Sequence, residues 1–389
     1  MKRRCVIVGA SLGGFRSAQQ LRRASFDGEI TLIGEESYPS YQRPPLSKQL
    51  LKGTFPVERC YLRGSVSEPF ALKLGVRATS LDPSNRRIVL NNDTVIEYDC
   101  AIISTGAQPF TFPKVLPSRR VIYLRNIEDS IHIRDQIKNS ARIGVVGAGF
   151  IGSEVASSLS NQVEKVVLFD SEEHPMSKAV GPYISQILKE LHQEHLVETV
   201  FGSSVSIVDS ETEEFVWIET PTERLPFDMV VIGVGVKPAT QWLSGVDSLE
   251  FDAVGALMAD DKGKVYGADA LYVVGDASSW FHPLYKKQIH VEHFETTVSQ
   301  AVQVAKSITQ TPSDPIELPF AWTEQYGQLI QTVGLRMSDS EDEVLRHSNH
   351  TLVLFHSSNK TTGAALLNCS EELTWAKNEI LSSLSSDSE

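Results

Sequence analysis

Cysteine is scarce. Cys5, Cys60, Cys100 and Cys369 are the four in 389 residues, and no two share a CxxC or CxxxxC spacing. That excludes a redox disulfide built from neighbouring thiols and the short spacings of a metal-ligand motif. So few thiols fit a reducing compartment, and a cytoplasmic protein is the expectation. Long apolar runs are missing as well. None reaches the roughly 18 residues of a spanning helix. Met1-Lys2-Arg3-Arg4 before the apolar Cys5–Ala10 imitates a signal peptide, but the apolar part is too short and Arg16, Arg22 and Arg23 follow soon. A buried first strand is the better reading. Positive charge is in deficit, with 36 Lys and Arg against 49 Asp and Glu and a net charge of −13. This argues against nucleic acid and against an anionic membrane as partners.

What is present is a repeat. Cys5-Val-Ile-Val-Gly9-Ala-Ser11-Leu12-Gly13-Gly14 opens one unit, and Arg142-Ile-Gly-Val-Val-Gly147-Ala-Gly149-Phe150-Ile151-Gly152 opens another. Each reads as a short apolar strand, a glycine turn and a helical stretch (Phe15–Ala24; Ser153–Asn161), then a second strand ending in an acid. The acids are Glu35, 26 residues after Gly9, and Asp170, 23 after Gly147. A dinucleotide-binding unit places an acid about 20 residues on. One such turn is weak evidence; two complete units in order are strong. Further strands, Asp99–Thr105, Asp228–Val234 and Ala270–Val274, end at Gly106, Gly235 and Gly275-Asp276, which suggests ligands at the carboxyl edge of parallel sheets. After Pro319, alternation at Leu329–Val333 and Thr351–Phe355 suggests an antiparallel sheet. The acidic run Asp339–Glu343 reads as a solvated loop and Ser382–Glu389 as a frayed end.

The first turn is GxSxxG. Ser11 replaces the glycine that lets backbone approach a pyrophosphate, and it is a small polar substitute whose hydroxyl can contact phosphate. Amides from Leu12 to Gly14 would face the anion at a helix N-terminus. The second turn is a full GxGxxG. Asp170 would take the ribose 2′-OH, and Ser171-Glu172-Glu173 follow with no Arg or Lys before Lys178. A 2′-phosphate would meet carboxylates there rather than a guanidinium.

Tyr41-Gln42-Arg43-Pro44-Pro45-Leu46-Ser47-Lys48 resembles the RPPLSK segment of the FAD-dependent ferredoxin reductases that serve bacterial oxygenases and P450s. They belong to the glutathione-reductase-like flavoproteins. Ser104-Thr-Gly106-Ala, Tyr123-Leu-Arg125, Gly147 through Glu154, Val234-Gly-Val-Lys-Pro238, Val274-Gly-Asp276, His293-Phe294 and Phe320-Ala-Trp322-Thr-Glu-Gln-Tyr326 extend the resemblance over residues 4–335. The last fifty residues match poorly. The resemblance implies an α/β fold, with two Rossmann-type dinucleotide-binding domains and a C-terminal α+β interface domain. Its parts would be an FAD domain in two pieces, 1–110 and 240–318, an NAD domain at 111–239 and an interface domain at 319–389.

By resemblance, Gly9, Ser11, Leu12, Gly13, Gly14 and Glu35 hold the FAD adenosine and pyrophosphate, and Asp276 its ribityl chain. Arg43, Lys48, Ala78, Thr105, Gly106, Arg125 and Phe294 are further FAD neighbours; most relatives carry Trp where Phe294 stands. Taken alone, Asp276 reads equally as an N-cap of a following helix. Gly147, Gly149, Phe150, Ile151, Gly152, Glu154, Asp170 and Gly235 hold NADH. The resemblance puts Lys48 near flavin N5, paired with Glu154 and beside Pro45, where a cation stabilises incoming negative charge. Alone, Lys48 reads as a surface lysine and Glu154 as a solvated helix face. Trp322 either shapes the electron exit or packs the interface.

Relatives of the disulfide type carry CxxxxC after the first acid, whereas Pro39–Gln49 here contains none. Cys60, twelve residues past Lys48, reads as structural. Electrons would therefore leave through the flavin, one at a time, to a [2Fe–2S] ferredoxin of Rieske or plant/adrenodoxin type. A rubredoxin, a quinone or O₂ is the alternative acceptor, and an apoptosis-inducing-factor-like, redox-gated interaction protein the alternative class. A monomer or weak homodimer is expected. Arg336, Arg346, Lys286 and Lys287 are candidate docking cations. Steady-state kinetics should give a higher kcat/KM with NADH than with NADPH; a thousand-fold preference for NADPH would overturn the reading of Asp170 to Glu173.

Overall fold

The computed structural model describes residues 2–65, 70–112, 115–137, 142–210, 212–347 and 350–386. Its α-helices among these are α1 (Leu12–Arg23), α2 (Ile127–Ile137), α3 (Phe150–Leu159), α4 (Ser177–Glu194), α5 (Phe294–Thr309) and α6 (Leu373–Ser385). None is long and apolar enough to cross a membrane. The chain divides into two compact units, one of Met1–Gln42, Tyr61–Gln108 and Lys237–Phe320, the other of Arg43–Cys60, Pro109–Val236 and Ala321–Glu389.

In the first unit a parallel sheet runs in the order Leu271–Val273, Cys100–Ile103, Arg4–Val8, Glu29–Gly34, Ala71–Leu74. Cys5 to Val8 are buried without alternation, as strands covered on both faces require. Helix α1 turns Phe15, Ala18 and Leu21 inward at helical spacing and packs against α5. Cys5 and Cys100 are register partners on adjacent strands, and both remain free thiols. Strand order reverses beside Arg4–Val8, which opens a crevice at its carboxyl end.

The second unit repeats the plan. Its parallel sheet runs Val197–Val200, Lys165–Phe169, Arg142–Val146, Met229–Ile232, Val121–Tyr123, again reversing beside the strand that precedes the glycine turn. A five-stranded sheet in the order Phe320–Gln325, Gln328–Gly334, Lys360–Leu367, His350–Ser357, Glu341–His347 completes this unit. Its antiparallel pairing matches the alternation seen in the sequence. Ile330, Val353, Phe355 and Ala365 share a core with Val180, Ile184 and Leu188 of α4.

Two expectations for this region are corrected. Asp339–Glu343 is a solvated loop only in part: Asp339 lies in an exposed turn and Glu341 and Glu343 are exposed, but Glu341 begins a strand, and the Asp342 side chain is only 11% exposed against Arg336, 3.1 Å away. Its carboxylate fills space that a side chain at Gly181, where α4 kinks at φ +74°, would need. The acidic end is not frayed from Ser382, because α6 continues to Ser385 and buries Ala376, Ile380 and Leu384. Residues 387–389 lie outside the described residues. The serines misled because helix periodicity there rests on three apolar positions alone.

On α4, His192 is fully buried, with Nδ1 2.7 Å from Tyr326 Oη, and His195 stacks on the same ring. Burial pushes the His192 imidazole down to about 4. The folded protein then refuses a proton that the unfolded chain accepts below its ordinary value of 6.5. Stability should therefore fall as pH drops from about 6.5 toward 4, with no such loss above 6.5. Thermal melts across that window should show a shallower decline in His192→Phe; an unchanged slope would remove this histidine from the acid response.

Candidate functional site

The first glycine turn lies in the first unit. Gly9 adopts φ +110°, and a Cβ there would stand 2.1 Å from Ser104 O. A Cβ at Gly14 would stand 1.9 Å from Gly9 O. The turn can close only with glycine at both positions. Gly13 lets α1 approach Val274 and Thr297. Ser11 caps α1 with extended backbone and makes no side-chain capping bond, so its hydroxyl is not committed to the helix. The first turn from Leu12 contains no acid. An anion there meets amide dipoles without carboxylate repulsion. Ser104 Oγ donates to Val8 O and Gly9 O at 3.0 and 2.9 Å, tying the Ser104–Gly106 segment to the turn. Thr105 Oγ1 donates to Ala239 O at 2.8 Å.

Around this turn the other candidates differ in setting. Glu35 is exposed, 3.5 Å from Arg77. Ala78 is buried in a small antiparallel sheet. Asp276 sits half-buried in the 3₁₀ turn Gly275–Ala277, and the strand Ser278–His282 follows. The N-cap reading of Asp276 therefore fails, because no helix follows it. Phe294 starts α5, half-buried. At the same helix end, His293 Nδ1 and Thr296 Oγ1 are buried without hydrogen-bond partners, and burial holds the His293 imidazole at about 4.

The second turn lies in the second unit. Gly147 has φ +100°, and a Cβ there would stand 2.4 Å from Gly233 O. At Gly152 a Cβ would stand 1.8 Å from Gly147 O. A Cβ at Gly149 would have nothing within 4 Å, so the start of α3 at Phe150 and Ile151 faces open space, again without an acid in its first turn. Asp170 grips this turn. Its Oδ2 accepts Ala148 N–H at 2.5 Å and its Oδ1 accepts Glu172 N–H at 2.8 Å. The sequence suggested only a ribose contact for Asp170; it also fixes the backbone that would face the phosphates. Lys178, the first cation beyond Asp170, is paired with Glu172 at 2.9 Å. Gly235, at φ +101°, borders Phe110. His174 Nδ1 is buried and unpartnered. Both turns fit a pyrophosphate-bearing dinucleotide: close-approach glycines, acid-free helix starts and orphaned polar atoms beside them.

Also in the second unit, the structure brings Lys48 and Glu154 together. Lys48 Nζ lies 2.5 Å from Glu154 Oε1, with the two side chains 9% and 7% exposed. Neither is the surface residue its local sequence suggests. The 3₁₀ turn Pro44–Ser47 presents Lys48. Its prolines fix φ, and Pro45 O accepts Lys48 N–H at 3.1 Å. Ser130 of α2 donates to Leu46 O, and Ser158 of α3 to Ser47 O, each at 2.7 Å. Arg43 donates to Arg125 O at 2.6 Å. The Trp322 ring lies 5.2 Å from Lys48 Nζ, within cation–π range.

Two residues in this cluster were not singled out from the sequence. Ser47 Oγ donates to Glu154 Oε2 at 2.5 Å, and Thr323 Oγ1 to Oε1 at 2.6 Å. Their sequence signal is that both stand inside segments the resemblance covers, next to Lys48 and Trp322. Cys60 is buried, and burial raises its thiol pKa, as a structural cysteine requires. Of the candidate docking cations, Arg336 is spent on Asp342, while the Arg346 side chain lies outside the described residues.

Comparison with known proteins agrees over nearly the whole chain. The pyridine nucleotide-disulphide oxidoreductase family matches residues 3–307. A probable ferredoxin reductase, CtmF, of Castellaniella defragrans is 30% identical over 88% of this chain and 84% of its own. The benzene 1,2-dioxygenase system ferredoxin–NAD(+) reductase subunit of Pseudomonas putida is 30% identical over 86% of this chain and 81% of its own. The solved covalent putidaredoxin reductase–putidaredoxin complex superimposes with a TM-score of 0.92 at 25% identity, covering 98% of this chain and 93% of that one. With two dinucleotide turns of this geometry, the chain belongs to the pyridine nucleotide-disulphide oxidoreductase family.

Proposed function

We propose that this protein is an NADH-dependent flavoprotein reductase that passes electrons singly to a [2Fe–2S] ferredoxin serving an oxygenase or P450. One observation carries this reading: a family named for its disulfide is represented here by a chain with no cysteine in Pro39–Gln49 and with a buried Lys48–Glu154 pair. Its relatives named as ferredoxin reductases support the acceptor. FAD, when bound, accepts two electrons from NADH and can release them one at a time.

The chain's residues would divide that work as follows. Gly9, Ser11 and the α1 amides bind the FAD pyrophosphate, with Glu35 at the ribose, Asp276 at the ribityl chain and Phe294 beside the ring. Ala78, Thr105 and Gly106 complete that site. Gly147, Gly149 and the α3 amides bind NADH, with Asp170 at the ribose. Lys48 holds a positive charge where negative charge arrives, and Glu154 keeps it there. Trp322, whose ring lies 5.2 Å from Lys48 Nζ, shapes the electron exit or packs the interface. In this reading residues 1–110 and 240–318 form the FAD domain, 111–239 the NAD domain and 319–389 the interface domain. The acceptor is of Rieske or plant/adrenodoxin type, the protein is cytoplasmic, and it is a monomer or weak homodimer.

Anaerobic mixing of the yellow protein with NADH should bleach the flavin, and a [2Fe–2S] ferredoxin should restore the colour faster than rubredoxin or quinone. Fast reoxidation by quinone alone would overturn the acceptor; slow reoxidation by everything would favour a redox-gated interaction protein. Lys48→Met should slow reduction by NADH about 100-fold, measured by stopped-flow; a variant within two-fold of the parent would remove Lys48 from the chemistry.

A further inference from the structure

Glu154 is buried to 6% exposure, and its carboxylate receives three donors from two other segments. Oε1 takes Lys48 Nζ and Thr323 Oγ1, and Oε2 takes Ser47 Oγ. Thr323 is fully buried and Ser47 is 5% exposed, so water does not compete for either hydroxyl. A carboxylate has about four acceptor positions, and three are filled here. Hydrogen bonds donated to the ionised form favour that form.

We infer that Ser47 and Thr323 are positioning residues that fix the Glu154 side chain and, through it, hold Lys48 in its working orientation. This rests on the reductase reading, in which the ammonium of Lys48 faces the reacting ring.

The arrangement is specific. Thr323 follows Trp322 on one strand, and successive strand side chains point to opposite sides. Both nevertheless serve the pair, Thr323 from the carboxylate side and Trp322 from the ammonium side. A strand interior needs a β-branched residue at such a position, and valine would satisfy that need. The hydroxyl is the part that packing does not explain. Without it, Glu154 Oε1 would have Lys48 as its one donor. The carboxylate would be held less firmly, and Lys48 would lose the fixed partner that orients it. Charged groups facing this centre from the adjoining elements are otherwise engaged or in water. Arg43 donates to Arg125 O, Asp129 of α2 accepts the N–H groups of Arg125 and Asn126, and Glu324 is exposed.

The test uses the FAD-loaded full chain, with Thr323→Val, Thr323→Ser and Ser47→Ala beside the parent. The rate constant for anaerobic reduction at saturating NADH is measured at neutral pH. A hydrogen bond to a charged group is worth enough that Thr323→Val should slow reduction about ten-fold. Thr323→Ser, which keeps the hydroxyl, should restore the rate, and Ser47→Ala should slow reduction as Thr323→Val does. The inference is overturned if Thr323→Val and Ser47→Ala both keep the parental rate, or if Thr323→Ser behaves as Thr323→Val does. Should Thr323→Val fail to take up FAD, Ser47→Ala decides by its rate. A parent that NADH does not reduce would instead sink the reductase reading and leave these variants silent on it, so the parent is run first.

Discussion

Burying Lys48 against Glu154 is the demand that the surrounding structure exists to meet. Removing an ammonium and a carboxylate from water costs several kcal/mol each, and their attraction compensates only when remaining donors and acceptors are filled. Here that filling is spread over four segments: the proline-stiffened turn Pro44–Ser47, helices α2 and α3, and the strand carrying Trp322 and Thr323. A pair merely near the surface would need none of this and would contribute little. So much ordered chemistry around two charges indicates that their placement, rather than stability, is what the arrangement secures.

The second constraint is close backbone approach. Gly147 and Gly152 let α3 start almost in contact with the preceding strand, and Glu154 follows on the helix's second turn. One short rigid helix thus has an anion-ready start and, a few ångströms along, the carboxylate that holds Lys48. Asp170 secures the start through Ala148, and Ser158 secures the far side through Ser47. One helix therefore ties the glycine turn to the charge pair.

The sequence made the two dinucleotide turns legible because their physics is local: glycine, helix start and acid fall within one βαβ unit, and spacing alone betrays them. The resemblance of Arg43 to Lys48 then pointed to a partner for Lys48 that local pattern reads as solvated. The structure supplied what distance in sequence conceals. Thr323 lies 169 residues from Glu154, and nothing near it marks its hydroxyl as a donor. Asp342 looked solvated because it stands in an acidic run, yet a kink at Gly181 opens room for its carboxylate. Asp276 looked like a helix cap because a helical stretch was expected after it, but a strand comes next.

The strand Phe320–Gln325 gives the region after Pro319 a different standing from that of a cover laid over a finished enzyme. It supplies one wall and one hydroxyl to a charge pair whose other members come from residue 43 onward and from α3. Such a piece is not interchangeable. In any recombination among relatives, Trp322 and Thr323 belong to the same inherited block as Ser47, Lys48 and Glu154. Within its sheet, this one strand is the part tied to the charge pair.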